Sequence, residues 1–457
     1  MDKALFQQAR LSRDARFDGQ FFVAVKTTGI FCRPICPAPA PKESNVEYFP
    51  TSVAAASNGF RPCLRCRPDA APDSCAWNGK NTSFERALAL INQGVLSSHN
   101  ISQLSERLGI TSRYLNKLFQ ENLGTSAKNY AQHQQLMFAK SLLQQTSMDI
   151  TQIAFASGFN SVRRFNDCFQ TKLKLTPSSL RKNKSDTSNS IKLFLSYRPP
   201  YAWGQLRDFL QHRAIAPIEK LTANSYGRSF TWPANTGTEV HGQFNAVHLP
   251  DKNGFEVTIS ISDINYLMPV VRNIRRILDL DAAIETIEHQ LQALPGINDQ
   301  LCTGLRLPGT WGLFEAGIRA ILGQQISVAG ALKLVATLVQ HYGRQQDELV
   351  FFPTPNDLLG SDLNALKMPG ARKKTVLNLA ELMADNPQTS PDDWLPLKGI
   401  GPWTIDYAKM RGLSNPNIWL GGDLGVKNAL NQHQITLTPK DASPWQSYLT
   451  FQVWNLL

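Results

Sequence analysis

Four of the seven cysteines form two close pairs, Cys32 with Cys36 and Cys63 with Cys66, and 26 residues separate the pairs. Two such pairs provide the tetrahedral thiolate coordination that Zn²⁺ prefers. A bound ion would also stabilise a segment that is too short to build a large apolar core. The spacing alone is compatible with a structural zinc ribbon and with a reactive centre, because a thiolate ligand keeps a nucleophilicity that a thiol lacks.

A second group of residues that could do chemistry lies towards the other end of the chain. Lys398-Gly-Ile-Gly401 stands between two apolar helical runs and predicts two helices joined by a glycine-rich hairpin. The free N–H groups at the start of the second helix suit a phosphate, although most such glycine pairs only turn a chain. Asp423 follows this helix, either as a reactive carboxylate or as a plain helix cap. Three aromatic residues are candidates for stacking on a base: Trp403, Tyr407 and Trp454.

The elements that position these groups must belong to several domains, because 457 residues favour about three domains. A composition with 42% hydrophobic and 18% charged residues is typical of a soluble globular protein. No apolar run is long enough to span a bilayer, and Met1-Asp-Lys begins no signal peptide. We therefore expect a cytoplasmic protein without a membrane partner. The odd, unevenly spaced set of cysteines favours reduced thiols over a disulfide framework.

The basic excess is confined to the first two-fifths of the chain. The net charge is +11, residues 1–190 carry 24 basic and 13 acidic side chains, and residues 191–457 carry 23 of each. A solvated basic face would explain this asymmetry, and so would a segment that engages DNA phosphates. Residues 191–457 have no net charge, so this part of the chain must bind its partner through particular features, the hairpin and a pocket.

Residues 101–119 and 150–169 each predict two helices joined by a glycine-containing turn. The second helix of each pair opens with a Ser or Thr cap and carries Arg and Asn beside an apolar stripe. One such pair is ordinarily plain packing, but its duplication favours helices that enter a DNA groove. The candidate DNA contacts are Arg113, Asn116, Arg163 and Arg164. Polar stretches at 67–83, where Cys75 is expected to be incidental, and at 181–190 predict linkers.

The residues around the cysteine quartet, 18–34 and 59–63, resemble the N-terminal domain of bacterial Ada adaptive-response regulators. The duplicated helix pairs resemble the AraC-type DNA-binding domain that follows the zinc domain in those regulators. This resemblance implies a small zinc α/β domain at 1–70 and an all-α domain at 84–185. It also implies that Cys32 accepts a methyl group from a methylphosphotriester while Cys32, Cys36, Cys63 and Cys66 hold one Zn²⁺. The chain has no Pro-Cys-His-Arg motif, so repair of O6-methylguanine is not expected.

Residues 191–457 resemble the helix-hairpin-helix DNA glycosylase superfamily, most closely the 3-methyladenine DNA glycosylase II (AlkA) type. The resemblance implies an α+β accessory domain at 191–290 and an all-α glycosylase domain at 291–457. It makes Asp423 the catalytic carboxylate and places Trp403, Tyr407 and Trp454 in the base pocket. The DNA contacts that it implies are Lys398, Gly399, Gly401, Gln324 and Gln325. Trp403 stands where bifunctional relatives carry a Schiff-base lysine, so a monofunctional enzyme is expected.

Two functions from different classes remain open at this point. In the first, a methyl-accepting transcription activator is joined to an enzyme that excises alkylated bases. In the second, the chain is chiefly a regulator whose glycosylase half only binds DNA or damage. Asp423 and the aromatic residues favour the first, while Gln325, in place of the leucine that relatives insert into the duplex, leaves room for the second. The expected partners are double-stranded DNA carrying alkylated bases, methylphosphotriesters or promoter sites, and RNA polymerase, and we expect a monomer.

Overall fold

A computed structural model describes residues 3–13, 17–18, 20–63, 65–66, 68, 80–92, 94–97, 99–181, 190–234, 239–346 and 348–457. Cys75 and most of the two predicted linkers lie outside these ranges. The chain divides into two compact units, Met1–His133 and Gln134–Leu457. No helix in the described ranges is both long enough and apolar enough to cross a bilayer.

The first unit opens with a small α/β fold. Its elements are α1 (Lys3–Ser12), β1 (Phe22–Val25), β2 (Ile30–Cys32), β3 (Val46–Phe49), α2 (Ser52–Ser57) and β4 (Arg61–Pro62). The sheet order is β3-β1-β2-β4, and β4 pairs parallel to β2. This pairing brings Cys63 beside the end of β2, because its N–H donates to the Phe31 carbonyl at 2.9 Å. Phe22, Phe31 and Phe49 form the small core.

The first helix pair follows in the same unit. Its elements are α3 (Lys80–Asn92), α4 (Ile101–Arg107), α5 (Ser112–Leu123) and the start of α6 (Ala127–Gln145). Asn100 caps α4 in a capping box with Gln103, and Thr111 caps α5 through the N–H of Tyr114. The apolar stripe of α5 is buried against α3 and α4, as the sequence predicts.

The second helix pair repeats this arrangement in the second unit with α7 (Ile150–Ala156), α8 (Val162–Leu173) and α9 (Pro177–Leu180). Asp149 and Ser161 are its caps. Helix α5 ends at Gly124 with φ +66°, whereas α8 ends at Lys174 with φ +58°. Lysine in this left-handed conformation costs roughly 1–2 kcal/mol, so the surrounding packing must hold it there.

An antiparallel five-stranded sheet forms the accessory domain. Its elements are β5 (Ile191–Ser196), α10 (Trp203–Gln211), β6 (Glu219–Leu221), β7 (Ser225–Pro233), β8 (Glu239–Leu249) and β9 (Gly254–Ile261). The strand order is β5-β9-β8-β7-β6. The core of the sheet is continuous with that of the second helix pair, from Phe165 to Phe230 and Phe255. The compact units therefore divide inside α6 and not in the predicted linker at 181–190.

Helices build the rest of the second unit, apart from one short β-ribbon. Its elements are α11 (Leu267–Ile277), α12 (Ile284–Gln292), α13 (Leu313–Gly323), α14 (Val328–Tyr342), β10 (Arg344–Gln346), β11 (Leu349–Phe351), α15 (Pro355–Leu358), α16 (Gly370–Asp385), α17 (Pro402–Gly412), α18 (Leu424–Gln432) and α19 (Gln446–Trp454). Helix α13 is the buried centre of this domain, and Trp394 is fully buried against it.

Four buried charges join the accessory sheet to α13. Arg228 donates to Glu315 at 2.8 Å, and Arg319 donates to Glu219 and Glu315, also at 2.8 Å. Two guanidinium groups and two carboxylates balance in charge, and the phenol of Tyr226 satisfies Glu219 further at 2.8 Å. Removing one member would leave an uncompensated buried charge, so this network holds the accessory sheet in one position against α13.

Candidate functional sites

The four predicted metal ligands come together. The sulfur atoms of Cys32, Cys36, Cys63 and Cys66 all lie within 4.8 Å of one another. Tetrahedral coordination at about 2.3 Å from the ion would separate the sulfurs by about 3.8 Å, so the cluster fits one Zn²⁺. Cys32 is partly exposed at the end of β2, whereas Cys63 and Cys66 are buried.

The electrostatics of this cluster also call for a cation. Hydrogen bonding to Cys36 and then to Cys66, with burial, raises the pKa of Cys32 far above its ordinary value. Hydrogen bonding with Cys32 and then with Cys66 lowers the pKa of Cys36 to about 2. Four sulfurs at this separation share protons when no ion lies between them, because neighbouring negative charges repel. A divalent ion removes that restriction.

Arg33 supports the cysteine cluster and was not among the predicted site residues. Its backbone N–H donates to the Cys66 sulfur at 3.3 Å, and its guanidinium donates to the Cys66 carbonyl at 3.2 Å. The same buried guanidinium is paired with Asp18, with one bond of 2.8 Å. The signal in the sequence was the position of Arg33 directly after Cys32, but only the fold brings in Asp18.

The turn at 398–401 leads directly into α17, as predicted, but the run before it, Pro391–Trp394, is a single 3₁₀ turn instead of a full helix. Gly399 has φ +94°, and a Cβ there would collide with the hydroxyl of Thr375 in α16. That hydroxyl donates to the Lys398 carbonyl at 2.9 Å. The side-chain amide of Gln324 donates to the Gly399 carbonyl at 2.9 Å. Gln324 therefore braces the hairpin, while its predicted neighbour Gln325 lies exposed with φ +58°.

Asp423 is a helix cap and also accepts hydrogen bonds from two indole groups. Its Oδ1 accepts from the Val426 N–H at 3.2 Å, which makes it the N-cap of α18. The same oxygen accepts from the Trp454 indole N–H at 3.0 Å, and Oδ2 accepts from that of Trp403 at 3.1 Å. A carboxylate offers about four lone-pair positions, so three internal donors leave about one for an outside group.

Aromatic rings surround this carboxylate. Trp403 and Tyr407 have ring centroids 5.3 Å apart. Phe209 stacks on Trp454 at 6.2 Å with an interplanar angle of 18°, and Phe451 packs edge-on against Trp454 at 5.0 Å. The structure therefore brings the three predicted aromatics together and adds Phe209, which α10 of the accessory domain supplies.

Two arginines also contact this aromatic box, and neither was among the predicted site residues. The guanidinium carbon of Arg213 lies 3.9 Å from the Phe209 ring centroid, and that of Arg411 lies 4.7 Å from it. Arg411 is buried and donates to the Pro308 carbonyl at 2.6 Å. Burial lowers the pKa of Arg411, and it lowers the pKa of Arg213 to about 10. Neither arginine stands in a motif with a recognisable spacing.

The four predicted DNA contacts on α5 and α8 differ in how exposed their side chains are. Arg113, Arg163 and Arg164 are exposed on α5 and α8. Asn116 is only partly exposed, and its side-chain oxygen is buried without a hydrogen-bond partner among the described residues. The three arginines can meet DNA directly, whereas Asn116 would have to change rotamer to do so.

Comparisons with known proteins match each part of this architecture. The metal binding domain of Ada matches residues 6–69, a helix-turn-helix domain matches residues 104–183, and the AlkA N-terminal domain matches residues 192–312. Together with the four clustered thiols, the first match makes Cys32, Cys36, Cys63 and Cys66 a four-cysteine zinc site. The fold and sites thus define a multidomain DNA-binding protein with a regulatory and a glycosylase-type half.

Similar proteins show which family the chain belongs to. It is 34% identical over 476 residues to a probable bifunctional transcriptional activator/DNA repair enzyme AlkA of Mycobacterium tuberculosis, covering 98% of this chain and 95% of the relative. The chain belongs to this family of bifunctional activator and repair proteins. It is also 31% identical to DNA-3-methyladenine glycosylase 2 of Escherichia coli over 57% of this chain and 95% of that protein. The chain is also 32% identical to the protein in a solved methylated N-Ada/DNA complex. This match covers 29% of this chain and 97% of the other, with a TM-score of 0.24.

Proposed function

We propose that the second unit is a monofunctional glycosylase that excises alkylated bases from duplex DNA. The observation that carries this proposal is the Asp423 carboxylate, which two indole N–H groups hold inside an aromatic box. A flipped, electron-poor base would stack on these rings. The free lone-pair position of Asp423 would then stabilise the sugar cation or orient water as the N-glycosidic bond breaks.

The monofunctional assignment rests on Trp403. A glycosylase that also cuts the strand needs an amine nucleophile that forms a Schiff base with the sugar. At the position expected for that amine the chain has an indole, and its N–H is already committed to Asp423. Water is then the nucleophile, and the product is an abasic site in an uncut strand. Borohydride should trap no covalent complex with DNA.

The hairpin and its brace are the proposed DNA clamp of the glycosylase. Helix α17 begins at Pro402, and its N-cap, Gly401, offers no side chain to the first N–H groups. Those N–H groups, together with Lys398 and the Gly399 backbone, suit a DNA phosphate. Gln324 would hold the clamp in place, and Gln325 would contact the duplex near the extruded nucleotide.

For the first unit we propose methyl transfer from a methylphosphotriester to Cys32. The Cys32 sulfur forms a bond to the methyl carbon, the carbon–oxygen bond breaks, and an ordinary phosphodiester leaves with the electron pair. With zinc bound, the four cysteine sulfurs would stay ionised at neutral pH. Cys66 receives an N–H from Arg33, which withdraws charge from its sulfur, while Cys32 is partly exposed. The methylated domain, together with Arg113 on the first helix pair and Arg163 and Arg164 on the second, would act as a transcription activator that contacts RNA polymerase.

The test of the glycosylase proposal is release of 3-methyladenine from alkylated duplex, with Asp423→Asn beside the parent protein. Losing this preorganised charge should slow release by about a hundredfold or more. Release by the parent with equal release by the variant would exclude Asp423 from the mechanism. DNA binding without any release would favour the alternative that this half only binds damage.

The test of the methyl-transfer proposal is mass spectrometry of the protein after incubation with methylated DNA. One added methyl group on Cys32, with zinc retained, is the expected result. Cys32→Ser should take up no methyl group while excision by the second unit continues unchanged. Methylation at Cys63 instead would contradict the assignment and leave the cluster a structural zinc site.

A further inference from the structure

Arg213 is a charged group of the aromatic box to which the proposed mechanism assigns no role. It follows α10 and places its guanidinium carbon 3.9 Å from the centroid of the Phe209 ring, which in turn stacks on Trp454. Tyr407 and Asp423 lie close enough to raise its pKa against the larger effect of burial. The guanidinium therefore belongs to the wall of the box.

The hydrogen-bonding capacity of this group is almost unused. A guanidinium has five N–H donors. Among the described residues, its hydrogen bonding amounts to one long contact of 3.4 Å to the Phe209 carbonyl, and it has no carboxylate in salt-bridge contact. Arg411, on the same ring, is by contrast fully buried and bonded to Pro308 and Tyr407. Arg213 thus keeps donors available for a ligand in the box.

A cation at this place is unfavourable for a positively charged base and favourable for an acceptor oxygen. A cationic N-alkylpurine is itself a good leaving group and gains nothing from a second positive charge. A neutral base leaves with the electron pair of the glycosidic bond, so negative charge develops on the ring and its carbonyl oxygens. An N–H donor aimed at such an oxygen stabilises that charge where it forms.

We propose that Arg213 is a specificity-determining residue, which donates to a carbonyl oxygen of a flipped neutral base and so extends excision beyond cationic lesions. This inference rests on the glycosylase function proposed above. In the reaction the C1′–N bond breaks and its electron pair goes to the base. The oxygen of water then bonds to C1′, and the water proton neutralises the departing base. Asp423 faces the sugar cation while Arg213 faces the base.

The experiment compares two single-lesion duplexes, one with a cationic N7-alkylpurine and one with a neutral base that carries a carbonyl beside the glycosidic nitrogen. In Arg213→Met, kcat/KM for the neutral base should fall by about tenfold to a hundredfold, the usual value of a hydrogen bond to a charged group. Excision of the cationic base should stay the same or rise severalfold. Arg213→Lys should restore part of the neutral-base activity, because lysine keeps the positive charge but lacks the planar, forked set of N–H donors of a guanidinium.

Arg207 supplies the matched control, since it lies on the preceding helix α10, is partly exposed and pairs with Asp208. Arg207→Met should leave kcat/KM unchanged for both substrates. A parallel loss on both lesions in Arg213→Met, or a loss that tracks the salt concentration, would overturn the proposal in favour of a DNA-phosphate contact or a structural role. No excision of the neutral base by the parent protein would overturn it as well. Failure of the parent on the cationic base would instead reject the glycosylase function itself.

Discussion

At the scale of single residues, the carboxylate of Asp423 caps a helix and is also held by two indole donors. Its Oδ1 caps α18 and accepts from Trp454, while Oδ2 accepts from Trp403. A carboxylate with three fixed donors cannot rotate freely, so its remaining lone pair keeps one direction. Preorganisation of this kind lowers a barrier without reorganisation during the reaction.

Trp454→Phe tests this preorganisation, because it keeps an aromatic ring but removes the indole donor. We expect kcat for 3-methyladenine release to fall about tenfold, in line with the loss of one hydrogen bond to a charged group. Trp445→Phe at the opposite end of the same helix, where the ring packs on Tyr448, should leave kcat unchanged. An undiminished kcat in Trp454→Phe would mean that Trp403 and Val426 orient Asp423 unaided.

At the scale of elements, the glycosylase site depends on contacts between helices that are distant in sequence. The hairpin is held by Thr375 of α16 and by Gln324 after α13. The closing helix α19 is tied to the end of α11 through Tyr448, whose hydroxyl donates to Asp279 at 2.9 Å. In each case the side chain forms this hydrogen bond with an element other than the one that carries it.

Gly399→Ala should weaken the hairpin, because the new Cβ meets the Thr375 hydroxyl and the residue has φ +94°. We expect a loss of about 1–3 kcal/mol in the free energy of unfolding, measured by denaturant titration. Gly401→Ala is the matched control for stability, since nothing lies within 4 Å of its Cβ position. Equal stability of the two variants would show that the turn tolerates a side chain.

Asp279 should make the stability of the second unit depend on pH. Burial raises its pKa to about 7, against the hydrogen bonds from the Leu307 N–H and from Tyr448 and against the charge of Arg306. The folded state thus holds the proton more tightly than the unfolded chain does. Its stabilising contribution is complete below about pH 4 and is lost as the pH rises to about 7, at up to about 1.4 kcal/mol per pH unit.

Asp279→Asn should remove this slope, because the amide does not titrate and asparagine tolerates the φ of +52° at this position. The measurement is the free energy of unfolding from pH 4 to pH 7. The exposed neighbour Asp281, paired with Arg275, provides the control variant Asp281→Asn, which should keep the slope of the parent protein. A slope that persists in Asp279→Asn would assign it to another group.

At the scale of the whole molecule, the two units differ in what stabilises them. The zinc domain has two small apolar clusters, one around Phe22 and one around Phe21, whereas the second unit contains three large apolar clusters. The second helix pair shares its core with the accessory sheet, where the Gln145 side chain also accepts from the Phe194 N–H at 2.6 Å. Regulatory and repair segments are therefore not separated where the polar linker suggested.

Removal of zinc should unfold the first domain and spare the glycosylase. We expect chelation to abolish methyl uptake at Cys32, because a small core cannot offset the entropy of folding without the ion. Release of 3-methyladenine, assayed on the same sample, should persist, as the four ligands all lie before residue 67. Loss of both activities after chelation would indicate a second metal requirement in the glycosylase.

The sequence by itself determined the features that have a local signature. The cysteine spacing, the two capped helix pairs and the glycine turn before α17 all arise from short-range patterns, and the structure contains each of them. Tertiary structure alone decided that Phe209 and Arg213 join Trp454, that Thr375 and Gln324 hold the hairpin, and that the second helix pair packs with the glycosylase half. The physical reason is that stacking and hydrogen bonding between distant elements depend on where folding brings them, and the spacing of residues along the chain carries no record of that.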